Sequence, residues 1–158
     1  MIVEIASRVH ETLLAQAAIA PDQECCGLLL GTPGRIADVV PARNVAADPA
    51  RSFEIDPAAL LHTHRAARGA GFRIIGHYHS HPNGCAEPSL RDAARAVENG
   101  DIWLIITAHG STGHSVTGHS VTGQGVTGHS VNGWRVTASD PGGSAVHGRF
   151  LPVTLVTV

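Results

Sequence analysis

The chain reads as an α/β domain, a mixed sheet with helices packed against it. Three observations carry that reading. Short runs of strand character alternate with amphipathic helical runs from the first residue to about residue 108. Hydrophobic residues make up 43% and charged residues 15% of the composition, which describes a folded core rather than a disordered chain. A length of 158 residues suits one compact domain. Residues 1–158 are therefore assigned to a single domain carrying a low-complexity insertion at about 111–133.

"MIVEI" alternates apolar and polar residues and predicts a first strand. "SRVHETLLAQAAIA" sets Val9, Leu13, Leu14 and Ala17 at helical spacing, with Ser7 as N-cap and Pro21 as the stop. "CCGLLLG" is a short apolar run closed by glycine, suited to a buried strand, and Glu24 stands at its entrance. "RIADVVPARNV" predicts the next strand. "DPAALLHTHRAARGAG" predicts a helix opened by Asp56, with Pro57 at its first position and glycines at its end. "FRIIGHYHSHP" returns to strand character, Pro88 and Ser89 start a helix over "SLRDAARAVENG" that runs to Asn99 and Gly100, and "IWLIITA" is a strongly apolar strand.

Residues 111–133, "STGHSVTGHSVTGQGVTGHSVNG", repeat a five-residue unit close to Thr-Gly-His-Ser-Val. That period matches neither the strand nor the helix, and a glycine in each unit weakens both, so a flexible insertion between strands is expected. "WRVTA" and "RFLPVTLVTV" predict the closing strands.

A formal net charge of −2 leaves no basic field to hold nucleic acid or an anionic membrane surface. No basic leader precedes an apolar run and no stretch has the length of a bilayer span, so a cytoplasmic protein without membrane or nucleic-acid partners is expected. Cys25, Cys26 and Cys85 are odd in number and two are adjacent, which is poor material for a disulfide framework; they read as buried, reduced thiols.

The chemistry concentrates in "HYHSHPNGCAEPSLRD", residues 77–92. On a strand, residues two apart share a face about 6.5–7 Å apart, so His79 and His81 can reach one ion. His62 and His64 have the same spacing on a predicted helix, where two positions correspond to about 200°, and they diverge onto the surface. Asp92 supplies a third, anionic ligand from the first turn of the next helix. Two imidazoles and a carboxylate leave zinc a fourth position for water, whose pKa the ion brings to about 7.

"SLRD" also reads as a helix cap, with Ser89 accepting from a backbone amide and Asp92 favoured by the helix N-terminus. The preceding His-x-His shifts the balance towards ligation, and Asp92 is not expected to cap fully while ligating. His77 shares the strand face but reads as packed or outer-lying rather than as a ligand. Cys85 reads as loop packing, because a thiolate would fill the position kept for water. His114, His119 and His129 of the repeat read as exposed low complexity rather than as a metal store. An unligated base is still required, and spacing does not choose among Glu24, Glu54, Glu87 and Glu98.

His79-Ser80-His81-Pro82, six residues, Ser89, two residues and Asp92 together resemble the JAMM motif of the JAB/MPN metallopeptidases. "PDQECCGLLLG" resembles the segment of small prokaryotic members in which a glutamate precedes Cys-Gly-Leu-Leu, and "NVAADPARSFEIDPAALL" and "GHYHSHPNG" agree in order and spacing. The resemblance runs from about residue 1 to 107 and resumes at Trp134, with no counterpart for the repeat. It implies a cytidine-deaminase-like α/β fold, a curved mixed sheet flanked by helices.

The same resemblance implies one Zn2+ ion on His79, His81 and Asp92, with Glu24 as the base that takes a proton from water and returns it to the leaving amine. Ser89 is then the hydroxyl that hydrogen-bonds the developing oxyanion. Nucleobase deamination is disfavoured, since the His-x-Glu and Pro-Cys-x-x-Cys pieces are absent. The expected activity is that of a zinc-dependent peptidase or isopeptidase acting on a protein or peptide, after the C-terminal Gly-Gly of a ubiquitin-like sulfur-carrier protein. The alternatives are a cell-wall or phage-tail peptidase, a metal-free scaffold or binding module of the same fold, and a histidine-rich protein holding several loose ions on its repeat. The intact set of five residues argues against the scaffold.

Overall fold

The computed structural model describes residues 1–108, 129–138 and 142–158. Its elements in order are β1 (Ile2–Ile5), α1 (Ser7–Ile19), β2 (Cys26–Thr32), β3 (Arg35–Ala42), α2 (Pro57–Ala70), β4 (Arg73–His81), α3 (Leu90–Arg95), β5 (Ile102–Ala108), β6 (His129–Val136) and β7 (Phe150–Thr157). The strands run in the order β1-β3-β2-β4-β5-β6-β7, and β1 pairs again with β7, so the predicted curved mixed sheet closes on itself. Pairing is parallel for β1 with β3 and β7 and for β4 with β5, and antiparallel elsewhere.

Helix α1 packs against β3, β5 and β6. Its stripe Val9, Leu13, Leu14 and Ala17 is buried with Val3, Ile5, Leu29, Leu104, Ile106 and Val131. Fully burying such a side chain is worth roughly 1.5–3 kcal/mol, so this stripe anchors the helix to the sheet. Ser7 does not cap the helix. Ala6 stands at that position without a side-chain bond, and the Ser7 hydroxyl and N–H both donate to the Val158 carbonyl at 2.9 Å, because β7 ends beside it.

Helix α2 starts and stops as its sequence predicts: Asp56 accepts from the Ala58 N–H at 3.0 Å, and Gly71 closes the helix at φ 74°. Helix α3 is shorter than expected. A helix continuing to Asn99 would pair the Ala96 carbonyl with the Gly100 N–H, but that carbonyl accepts from Arg149 and the Gly100 N–H donates to Val136. Tertiary contacts thus take both groups, and Val97 is left exposed.

The predicted insertion falls mostly on residues 109–128, outside the described residues, and so do His114 and His119. Its last unit is a correction: residues 129–133 form the first part of β6 and pair with Leu104 to Ala108. Val131 and Gly133 are buried there, and those tertiary contacts override the weak strand character of a glycine-containing repeat.

One irregularity in β4 sets up the site. The β2–β4 register shifts between Leu29 and Leu30, which face Gly76 and Ile74 and leave Ile75 as the extra residue. Gly76 takes φ 151°, and a Cβ there would collide with the Ile102 carbonyl of β5. The bulge resets the alternation of β4, so Ile75 and Tyr78 both join the α1 core. His77 and His79 face the opposite side, towards Phe53 and Trp103.

Candidate metal centre

The last turn of β4 and the first turn of α3 bring His79, His81 and Asp92 together, all three buried, with their ligand atoms within 4.8 Å of one another. The two imidazole Nε2 atoms lie 2.9 Å apart. Asp92 Oδ1 is 3.4 Å from His79 Nε2 and Asp92 Oδ2 is 3.3 Å from His81 Nε2. The Nδ1–H of His81 points at the Cys85 carbonyl, 2.7 Å away, which leaves its Nε2 lone pair facing the cluster. Phe53 stacks on His79 at 4.3 Å and fixes that ring from the other side. Among the described residues nothing pairs with His79 Nδ1.

Asp92 caps α3 fully while its carboxylate also faces both imidazoles. It forms a complete capping box with Ser89: its N–H donates to Ser89 Oγ at 3.0 Å, and its Oδ2 accepts from the Ser89 N–H at 2.7 Å and from the Ser89 hydroxyl at 2.8 Å. Of the two oxygens capping uses only Oδ2, which also faces His81, so Oδ1 is left for His79. The cap and the ligand are therefore compatible because a carboxylate has two oxygens.

Electrostatically the cluster is a place for positive charge. Burial pushes the Asp92 carboxyl up, but hydrogen bonds from His79 and His81 outweigh it and hold the group well below the usual carboxylate range. Burial also works against a charged His81, yet Asp92, the Cys85 carbonyl and Glu24 together raise its pKa. His79, fully buried, is lowered by that burial despite Asp92. The donor set, two imidazole nitrogens and a carboxylate converging in a buried site with one ring oriented by a carbonyl, fits a divalent transition metal such as zinc.

Of the four candidate bases, Glu24 alone couples to this centre. It is buried, and that burial raises its pKa to about 7, with the Asp92 charge adding to the shift and His81 opposing it. Glu54 and Glu98 are exposed and Glu87 is partly so. His77 lies outside the metal cluster, packed on Trp103 at 3.9 Å between ring centroids and on Phe53 at 5.3 Å. Burial holds it neutral, with a pKa lowered to about 3. His62 and His64 are exposed, as the helical spacing requires.

The cysteines differ from expectation. All three are free, but only Cys26 is buried; Cys25 is half-buried and Cys85 exposed, because the loop that carries Cys85 turns its main chain, not its thiol, towards His81. Several supporting residues had no assigned role in the sequence. Trp134 Nε1 donates to Ala86 O at 3.1 Å, and His147 Nε2 lies 3.1 Å from Pro88 O, so strand β6 and the connection that follows it hold the loop leading to Ser89. These contacts span more than 40 residues, and no local pattern announces them.

With this geometry established, comparison with known proteins decides the family. The profile of the prokaryotic homologs of the JAB domain matches residues 6–120. The chain belongs to that family. The desampylase of Haloferax volcanii is 34% identical over 121 residues, covering 69% of this chain and 87% of that protein. A probable TtuB-protein conjugate cleaving protease of Thermus thermophilus is 41% identical over 58 residues, covering 37% of this chain and 39% of that protein. In three dimensions, the solution structure of a Desulfitobacterium hafniense protein matches with a TM-score of 0.73 at 23% identity, over 100% of this chain and 93% of that one. That last likeness shows a shared fold.

Proposed function

We propose that this protein is a zinc-dependent isopeptidase that hydrolyses the amide bond following the C-terminal Gly-Gly of a ubiquitin-like sulfur-carrier protein. The carrying observation is the convergence of His79, His81 and Asp92 beside a buried, unligated Glu24. The names of the relatives, a desampylase and a TtuB-conjugate cleaving protease, support a protein-conjugate substrate. The site sits in a single domain that spans residues 1–158.

His79, His81 and Asp92 would hold the ion. A zinc ion bound there supplies Lewis acidity and a water acidic enough to ionise near neutral pH. Glu24, not tied up as a ligand, takes the proton from the attacking water at its carboxylate and delivers it to the leaving nitrogen, so the amide is cleaved to a carboxylate and an amine with the proton conserved. Ser89 hydrogen-bonds the oxyanion that develops on the carbonyl oxygen. To do so its hydroxyl proton turns away from Asp92 Oδ2, while its oxygen keeps accepting the Asp92 N–H that anchors the helix.

Elemental analysis of wild type and of the His79→Ala/His81→Ala double variant, with cleavage of a Gly-Gly isopeptide assayed on the same samples, tests this reading. One zinc per wild-type chain, lost together with cleavage in the variant, is expected. Absence of tight zinc from wild type, or a zinc content untouched by the double substitution, would sink it.

A further inference from the structure

We infer that Ser80 and Asn44 are positioning residues that hold Glu24 in register with the metal ligands. The inference rests on the reading of Glu24 as the base and adds what keeps it in place. Ser80 is the middle residue of His79-Ser80-His81, and strand alternation turns its side chain to the face opposite the two imidazoles. There its buried hydroxyl meets the chain on both sides of Glu24. The Cys25 N–H donates to Ser80 Oγ at 2.9 Å, and the hydroxyl donates to the Gln23 carbonyl at 3.4 Å. The Ser80 N–H adds a main-chain bond to the Cys25 carbonyl at 3.0 Å.

Asn44 completes the hold. Its Nδ2 donates to the Glu24 carbonyl and to the Ser52 carbonyl, both at 2.9 Å, and its Oδ1 accepts from the Ala46 and Glu54 N–H groups at 3.0 Å. One amide thus fills its bonding capacity and ties residue 24 to the loop that places Phe53 on His79. The Glu24 N–H itself donates to Pro49 at 2.8 Å. Residues 24 and 25 lie outside any helix or strand, so these bonds replace a ladder.

The consequence is mechanical. Ser80 shares one stretch of backbone with both histidines, so its bonds to Gln23 and Cys25 tie the backbone of the base directly to the strand that carries them. An ionised carboxylate is drawn towards bulk water. Anchors on both neighbouring peptides resist the backbone shift that would let it leave. Neither side chain touches the cluster; both act through Glu24.

The test uses the full-length zinc-loaded protein and a fluorescent peptide whose C-terminal Gly-Gly is joined to a lysine Nε. Ser80→Ala, Ser80→Cys and Ser80→Thr are compared with Glu24→Gln. For Ser80→Ala, kcat should fall by about 10- to 100-fold with KM and zinc content unchanged, and Ser80→Thr, which keeps the hydroxyl, should recover most of it. In the metal-free protein the Cys25 amide should exchange hydrogen about tenfold faster in Ser80→Ala than in wild type or Ser80→Thr.

Wild-type kcat in Ser80→Ala, or a loss of kcat matched by a loss of zinc, overturns the positioning role. If wild type itself does not cleave the peptide, the proposed function fails, and the visible spectrum of the cobalt-substituted protein decides the anchor separately. A shift common to Ser80→Ala and Glu24→Gln upholds it; a wild-type spectrum in Ser80→Ala overturns it. Ser80→Cys, similar in volume but weaker in hydrogen bonding, stands in for Ser80→Ala with the same outcomes should the alanine protein not fold.

Discussion

Asp92 and Glu24 are both buried carboxylates serving one centre, yet they are held in opposite ways. Asp92 is fixed locally, by a box that closes within three residues at the start of α3, and the two imidazoles keep it ionised. The backbone around Glu24 is fixed by side chains 20 and 56 positions further along the chain, and burial drives its pKa up to about 7. A carboxylate that is to ligate a cation has to stay ionised, whereas a base must gain and lose a proton near neutrality. The same functional group is thus given opposite proton affinities by its surroundings alone, which suits the two roles proposed for it.

The sharpest way to break that contrast is to neutralise each carboxylate in turn. Glu24→Gln should lower turnover by about 10²- to 10⁴-fold while zinc content stays at the wild-type level. Asp92→Ala should instead release the metal, with an affinity loss beyond the roughly 10- to 100-fold typical of outer-shell changes. Equal zinc retention in the two variants would erase the division of labour. Ser89→Ala comes next: about 10²-fold in kcat from the lost oxyanion donor, and about 1 kcal/mol of stability from the lost cap, read by turnover and by urea titration.

The smallest effect is one of pH, and the two carboxylates contribute with opposite sign. Glu24 carries a folded-state pKa above its ordinary value of 4.5, so the folded state holds the extra proton and its contribution to stability declines as pH rises from about 4.5 to about 7. Asp92 carries a lowered one, so its contribution is present above its ordinary value of 3.8 and is lost as pH falls below it. His81, with a raised pKa, slopes the same way as Glu24, so the difference between proteins is the readout. Denaturation of chelator-treated wild type and Glu24→Gln across pH 4–8 should show the variant flatter above about pH 4.5, with the acid limb unchanged. Parallel curves would mean that Glu24 is not the buried acid.

What was legible in the sequence follows the same divide. The His79, His81 and Asp92 set is local, two residues apart on a strand and then one short loop away, so spacing alone brought it together. The box around Ser89 was equally visible, although the two oxygens of Asp92 let it cap and face the imidazoles together, which a one-role reading missed. Glu24 could be ranked above Glu54, Glu87 and Glu98 only by resemblance, because strand pairing of β2 with β4 is what carries it to the site. The curvature of the sheet was expected, but its closure was not, since nothing in β1 or β7 taken singly specifies the other as partner. The early end of α3 was hidden for a similar reason: Arg149 and Val136, which take its last groups, come some 40 to 50 residues later.

Closure of the sheet also orders events in time. Ile2 to Ile5 pair with Thr154 to Thr157, about 150 residues downstream. A ribosome releases the hairpin of β2 and β3, and the parallel pair that carries the histidines, well before β7 exists. During that interval β1 has only its two-residue register with β3, and the α1 core lacks the side chains of β7. Such distant pairings slow folding and leave apolar edges open to wrong partners. The β2–β3 hairpin and the β4–β5 pair that carries His79 and His81 can form early, while the barrel seals last.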